Sequence, residues 1–268
     1  MGRAKSLRYK WFGSGLIFFA LLAIVCLLAM PDLSKLKKEN PKKTAFMEYR
    51  EMESKRQGKR LKIYQIWVPL SKVSLTLTKA VLIAEDDKFW SHEGFDYEAI
   101  KKALEKDLKA GKFRRGGSTI SQQLTRNLYL SPQKSLLRKI REAILTWRME
   151  KVLSKKRILE LYLNVAEWGE GVYGIEAASR RYYGKPSSDL TAQESARLAA
   201  VLPNPRRYDP LGSQPYVVHR ADLIYDIMVR RGIVVPEYEE GDRSTEAFPV
   251  EQGGSPPSVL SEPAVPNR

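Results

Sequence analysis

Residues 80–96 read AVLIAEDDKFWSHEGFD. The apolar run Ala80–Ala84 leads without a break into three carboxylates, Glu85, Asp86 and Asp87. An aromatic pair, Phe89 and Trp90, and His92 follow, and Gly94 turns the chain. A carboxylate at the end of a buried element is partly desolvated, which raises its pKa and suits Glu85 to proton transfer. A solvated acidic cluster at a helix end explains the same residues equally well. The flanking sequence has to decide between them.

Outward from this stretch, from about Ile63 to Gly232, the pattern is helical and repeatedly punctuated. Tyr97–Ala110 sets Ile100, Leu104 and Leu108 on one stripe, with Lys101, Lys102, Lys106 and Lys109 elsewhere around the helix. Such a helix either packs on a core, the reading slightly preferred here, or rests as a basic amphipathic helix on a membrane surface. Thr119 with Gln122 and Thr191 with Glu194 match capping boxes. Helical runs cover Leu136–Leu153, Lys156–Asn164, Ile175–Tyr183 ended by Gly184, an alanine-rich stretch stopped by Pro203, and Tyr216–Arg231 closed by Gly232. Strand signals are weak and confined to Ile63–Val68.

The chain of 268 residues has room for one substantial domain with appendages. Phe12–Met30 carries no charge over 19 residues, about 28 Å of helix, enough to cross a bilayer core. Its length, and the lack of a clean small-x-small site after it, favour an uncleaved signal-anchor over a cleaved signal peptide. Arg3, Lys5, Arg8 and Lys10 precede the span, but Lys35, Lys37, Lys38, Lys42 and Lys43 follow closely. The basic residues therefore leave its orientation open. Residues 31–60, charged and poor in large apolar groups, read as a juxtamembrane linker or peripheral helix. Residues 236–268, with six prolines and a charge of −5, read as a disordered tail, so residues 1–235 carry +20 of the net +15. A domain this basic favours anionic partners. A tethered chain without a nucleic-acid-binding module turns that preference toward lipid headgroups and phosphates and away from nucleic acid. Cys26, the single cysteine, excludes an intrachain disulfide, and two histidines cannot build a typical zinc site with it.

Two further segments carry chemistry. Gly116–Asn127 reads GGSTISQQLTRN. Its glycines allow close backbone approach, the helix after them offers free amides to an anion, and Gln123, Arg126 and Asn127 fall off the buried stripe of Ile120, Leu124 and Leu128. A glycine hinge before a well-capped helix is the plainer alternative. Arg114 and Arg115 just upstream add cationic charge. Glu142 shares a helical face with Leu145 and Met149, while Arg138 and Lys139 lie about a turn back. Pairing with those cations and service to a cleft are equally good readings of it.

In order, EDDKFWSHEGFD, GGSTISQQLTRN, RKIREAILTWRME, KKRILELYLNVAEWGEGVYGIEAASRRYYGK and LTAQESARLAAVLPNPRRYDP resemble the five motifs of peptidoglycan glycosyltransferases. The resemblance runs from about Ile63 to Asp209 and is closest to the monofunctional biosynthetic form, since no transpeptidase domain follows. It implies a mostly α, lysozyme-like helical domain at residues 61–235, held by a transmembrane helix at residues 11–30 after a cytoplasmic N-terminus at residues 1–10. The catalytic domain would then stand on the outer side of the bacterial cytoplasmic membrane. The implied substrate is lipid II, polymerised into β-1,4-linked glycan. The implied general base is Glu85, and Glu142 would orient groups or assist the departing pyrophosphate. Asp86, Ser118, Gln122, Gln123, Arg126, Asn127 and Lys134 match substrate-side positions. Arg126 stands where many relatives carry lysine, and Lys134 where many carry arginine, which bears on how phosphate is gripped. Phe89 and His92 read as supports of the first motif. No cofactor or dedicated metal site is expected, although a magnesium or manganese ion could assist pyrophosphate departure. Expected partners are lipid II, the growing glycan strand, membrane lipids and other cell-wall synthesis and division proteins. The rival functions are a lysozyme-like hydrolase using Glu85 as an acid and a membrane-tethered scaffold without catalysis.

Overall fold

A computed structural model of the chain describes residues 30–110, 117–133 and 135–235. Residues 11–29 of the expected span, Arg114, Arg115, Gly116, Lys134 and the tail at 236–268 lie outside the described residues. Among the described residues, no helix is long and apolar enough to cross a membrane.

Nine α-helices occur among the described residues: α1 Ala45–Arg56, α2 Leu75–Glu85, α3 Tyr97–Ala110, α4 Ile120–Tyr129, α5 Leu136–Val152, α6 Lys155–Val165, α7 Ile175–Tyr183, α8 Ala192–Val201 and α9 Pro215–Arg230. Their ends follow local rules. The hydroxyls of Ser74, Ser135 and Ser154 each accept the third backbone N–H of the helix they open. Both expected capping boxes form, at Thr119–Gln122 and Thr191–Glu194. Gly184, left-handed at φ 68°, ends α7.

Helix α2 is packed by α8 and α9, and α4 is packed by α5 and α6. The alanines of α8 (Ala196, Ala199 and Ala200) are buried against the core and let its neighbours approach closely. Leu77, Val81, Phe89, Ile120, Leu124, Met149, Leu161, Tyr162 and Trp168 fill the same core. Full burial of side chains of this kind contributes roughly 1.5–3 kcal/mol each.

A small sheet of β1 (Tyr64–Gln65), β2 (Glu167–Gly169) and β3 (Val172–Tyr173) runs in the order β1-β3-β2. Strand β1 is parallel to β3, pairing Tyr64 with Val172, while β2 is antiparallel to β3 and pairs Glu167 with Tyr173. Only β1 falls where strand signals were found. The β2–β3 hairpin is too short to show a period, and all of its strand residues are buried, so no alternation marks it.

Two open readings take definite form. Of the linker or peripheral helix read at residues 31–60, the helix is present as α1. Leu33 and Leu36 of a 3₁₀ turn (Leu33–Lys37), together with Met47 of α1, are buried. Arg157 of α6 holds this segment by donating to the carbonyls of Leu36 (2.8 Å) and Glu39 (2.9 Å) and to Asn40 Oδ1 (2.7 Å). The apolar stripe of α3, by contrast, is not packed on the core: Ile100, Leu104 and Leu108 are 38, 49 and 70% exposed.

Candidate active site

Glu85 is the last residue of α2, whose preceding turn (Ala80, Val81, Leu82) is buried. The helix therefore delivers the carboxylate to the edge of the core, with 11% of the side chain exposed. Gln123 Nε2 of α4 donates to Glu85 Oε2 at 2.8 Å, and Gln123 Oε1 accepts from the Tyr162 hydroxyl of α6 at 3.1 Å. The tyrosine thus fixes which end of the amide faces the glutamate. Burial pushes the Tyr162 phenol far up, so it remains a donor. On the other side, Arg220 of α9 donates from Nη2 to the Ala84 carbonyl at 2.9 Å and lies 3.6 Å from Glu85 Oε1. Burial raises the Glu85 pKa, opposed by the Gln123 hydrogen bond and the charges of Arg220 and Arg126. Among the described residues Oε1 has no hydrogen-bond partner. The result is a carboxylate with one oxygen held by Gln123 and the other buried beside Arg220 without a hydrogen bond.

Asp86 has a different job. Its Oδ1 meets His92 Nε2 at 2.8 Å, and its Oδ2 accepts the Ile120 N–H at 2.8 Å. His92 Nδ1 accepts the Gly94 N–H at 3.1 Å, which leaves Nε2 to carry the proton donated to Asp86. Thr119 Oγ1 donates to the Gly94 carbonyl at 2.7 Å. Phe89 is fully buried beneath the ammonium of Lys155, 4.5 Å from its ring centroid. These contacts fasten residues 86–94 to the start of α4. The amides expected to be free for an anion there are used internally: Asp86 takes Ile120 N–H, Thr119 Oγ1 takes Gln122 N–H, and Gln122 Oε1 takes Thr119 N–H. Asp86 and Gln122 are therefore turned inward, and Asn127 is also buried. The support role read for Phe89 and His92 is what the geometry gives.

A second cluster surrounds Glu142, which is fully buried on α5. Arg138 Nη1 donates to its Oε2 at 2.6 Å, and Lys139 Nζ to its Oε1. Lys139 Nζ also reaches Ser118 Oγ at 3.4 Å. Of the two readings of Glu142, pairing with its neighbours is realised, and it sets Lys139 beside Ser118. Helix α4 bridges the clusters, with Gln123 toward Glu85 and with Ser121 and Thr125 toward Glu150, Thr146 and Met149 of α5. Sequence reading missed Arg220 and Tyr162. Arg220 had a signal of the kind that marked Glu142: it lies on the α9 stripe of Val217, Ala221, Ile224 and Met228, which are buried. Among the described residues, no group of three or more His, Cys, Asp or Glu is placed to hold a metal ion.

A desolvated glutamate beside cationic side chains, presented by a helical domain, is an arrangement characteristic of enzyme sites. The family model described as "Transglycosylase" matches residues 53–229, well over half of the chain. A biosynthetic peptidoglycan transglycosylase of Azoarcus sp. is 48% identical over 204 residues, covering 75% of this chain and 87% of that protein. One of Nitrosospira multiformis is 42% identical over 225 residues, covering 84% and 98%. Penicillin-binding protein 1A from Haemophilus influenzae aligns with 66% of this chain and 17% of its own, at 21% identity and a TM-score of 0.37, too low a score to support any argument. The chain belongs to the transglycosylase family.

Proposed function

We propose that the protein polymerises lipid II into β-1,4-linked peptidoglycan glycan, releasing undecaprenyl pyrophosphate. The observation that carries this reading is Glu85: buried, with its pKa raised, one oxygen held by Gln123 and the other without a hydrogen bond beside Arg220 among the described residues. Ionised Glu85 takes the proton of the acceptor 4-hydroxyl. The freed oxygen pair forms a bond to C1 of the donor sugar, and the C1–O bond to pyrophosphate breaks with its electrons leaving on the phosphate oxygen, which inverts C1. The proton ends on the Glu85 carboxyl and returns to solvent.

The leaving group is polyanionic, and cations aimed at its developing charge are the main electrostatic aid open to the protein. Arg126, Lys134, Arg138 and Lys139 supply them, with Ser118, Gln123 and Asn127 as neighbouring polar groups. Glu142 holds Arg138 and Lys139 in place, and Asp86 and Gln122 act by shaping the first two motifs. A magnesium or manganese ion, if bound, would neutralise part of the charge on the departing pyrophosphate.

The exposed stripe of α3, with Leu136, Leu137, Ile140 and Trp147 exposed on α5, supports contact with membrane lipid, where the substrate resides. Residues 11–30 tether the domain on the outer face of the cytoplasmic membrane, near other cell-wall synthesis and division proteins. Incubation of the full-length protein with labelled lipid II tests the proposal. Polymer is expected, and Glu85→Gln abolishes it with the fold retained. Degradation of finished sacculi without polymer would instead favour a hydrolase.

A further inference from the structure

Among the described residues, two buried polar atoms without a hydrogen-bond partner belong to facing side chains: Glu85 Oε1, an acceptor, and Arg220 Nε, a donor. Leaving such groups unmet costs roughly 1–3 kcal/mol each, so a fold that keeps both is prepared for something that satisfies them. Arg220 cannot swing away freely, because Nη2 is fixed on the Ala84 carbonyl at 2.9 Å while remaining 3.6 Å from Oε1. A phosphate oxygen would satisfy the guanidinium but repel the carboxylate, and an ammonium would do the reverse. A hydroxyl donates and accepts at once and satisfies both.

We propose that Arg220 is the second protein contact of the attacking acceptor hydroxyl, its Nε–H donating to the oxygen whose proton passes to Glu85 Oε1. This rests on the transglycosylase reading above. One oxygen lone pair is used by Arg220 and the other is left for attack on C1, so the guanidinium aligns the nucleophile and steadies the negative charge it gains. The charged and titratable groups facing Glu85 are Arg220 from α9, Arg126 from α4, Asp86 beside it and the Tyr162 phenol from α6.

The test is steady-state polymerisation of lipid II over a pH series by the full-length wild type, Arg220→Gln and Arg220→Lys, with melting temperatures recorded alongside. Arg220→Gln is expected to lose about a hundredfold in kcat/KM and to move the acid limb to higher pH, because a cation favouring ionised Glu85 is gone. Arg220→Lys keeps the charge and so leaves the limb in place. It loses about tenfold, since one ammonium cannot replace a fork that serves the Ala84 carbonyl and the hydroxyl together. A lysine variant equal to wild type overturns the proposal, as does a glutamine variant whose limb stays put. If Arg220→Gln fails to fold, the lysine variant decides alone. Absence of polymer from the wild type overturns the transglycosylase reading and this proposal with it, whereas normal wild-type polymer with unaltered variants overturns this proposal only.

Discussion

Glu85 and Asp86 are adjacent carboxylates with opposite fates. Both oxygens of Asp86 are engaged by His92 and the Ile120 amide, while one oxygen of Glu85 has no hydrogen bond among the described residues. Because burial raises the Glu85 pKa and a base must be ionised, kcat/KM should fall as pH drops through that raised value, with an acid limb above the ordinary glutamate range of about 4.3. The same shift has a sign for stability. The folded state holds the proton more tightly than the unfolded chain, so the ionised side chain costs stability at neutral pH. That cost disappears as pH falls below the unfolded pKa. Glu85→Gln is therefore expected to raise the melting temperature at pH 7.5, with the gain shrinking toward pH 4 (both as experimental settings on the glutamate scale). A lowered melting temperature at neutral pH would refute this account of the site. Asp86→Ala should cost about 3 kcal/mol in urea denaturation, since it orphans a buried amide and an imidazole donor; a loss under about 1 kcal/mol would return Asp86 to the substrate side. The sequence places both acids in one loop. Which one turns inward depends on His92 and the start of α4, and no property of the two residues foretells it.

At the scale of the element, Gly117 connects the first two motifs. Its φ is +80°, and a Cβ there would lie 3.2 Å from Ile100 Cα of α3. Gly184 also has positive φ, at +68°, but a Cβ on that residue would meet nothing within 4 Å. Alanine at Gly184 should thus cost only the backbone penalty, about 1 kcal/mol, while alanine at Gly117 should cost up to about 3 kcal/mol and depress activity by shifting Ser118. Equal losses at the two sites in thermal melts would show that the contact with α3 is immaterial. Helix ends were legible because caps act through residues three apart, as at Thr119–Gln122 and Thr191–Glu194. The β2–β3 hairpin was not, because its pairing with β1 joins residues about a hundred positions apart, such as Tyr64 and Val172.

Across the whole molecule, the segment before α1 is tied into the core rather than strung beside it. Arg50 of α1 pairs with the buried Glu167 of β2 at 3.2 Å, and Leu33 packs beneath α5. Leu33→Ala should cost about 2–4 kcal/mol by urea denaturation, while Met52→Ala, on the exposed side of α1, should cost little. A neutral Leu33 variant would restore the linker reading. By itself the sequence determined a mostly helical domain and the ends of its helices, because periodicity and capping are local and act within a turn or two. The tertiary structure alone decided that Gln123 and Tyr162 steady Glu85, that Arg220 faces it, and that residues 31–60 join the core. Those contacts span 38 positions to Gln123 and 136 between Arg220 and Ala84. At such separations, the burial of one oxygen depends on which helices pack together and not on the residues that flank it.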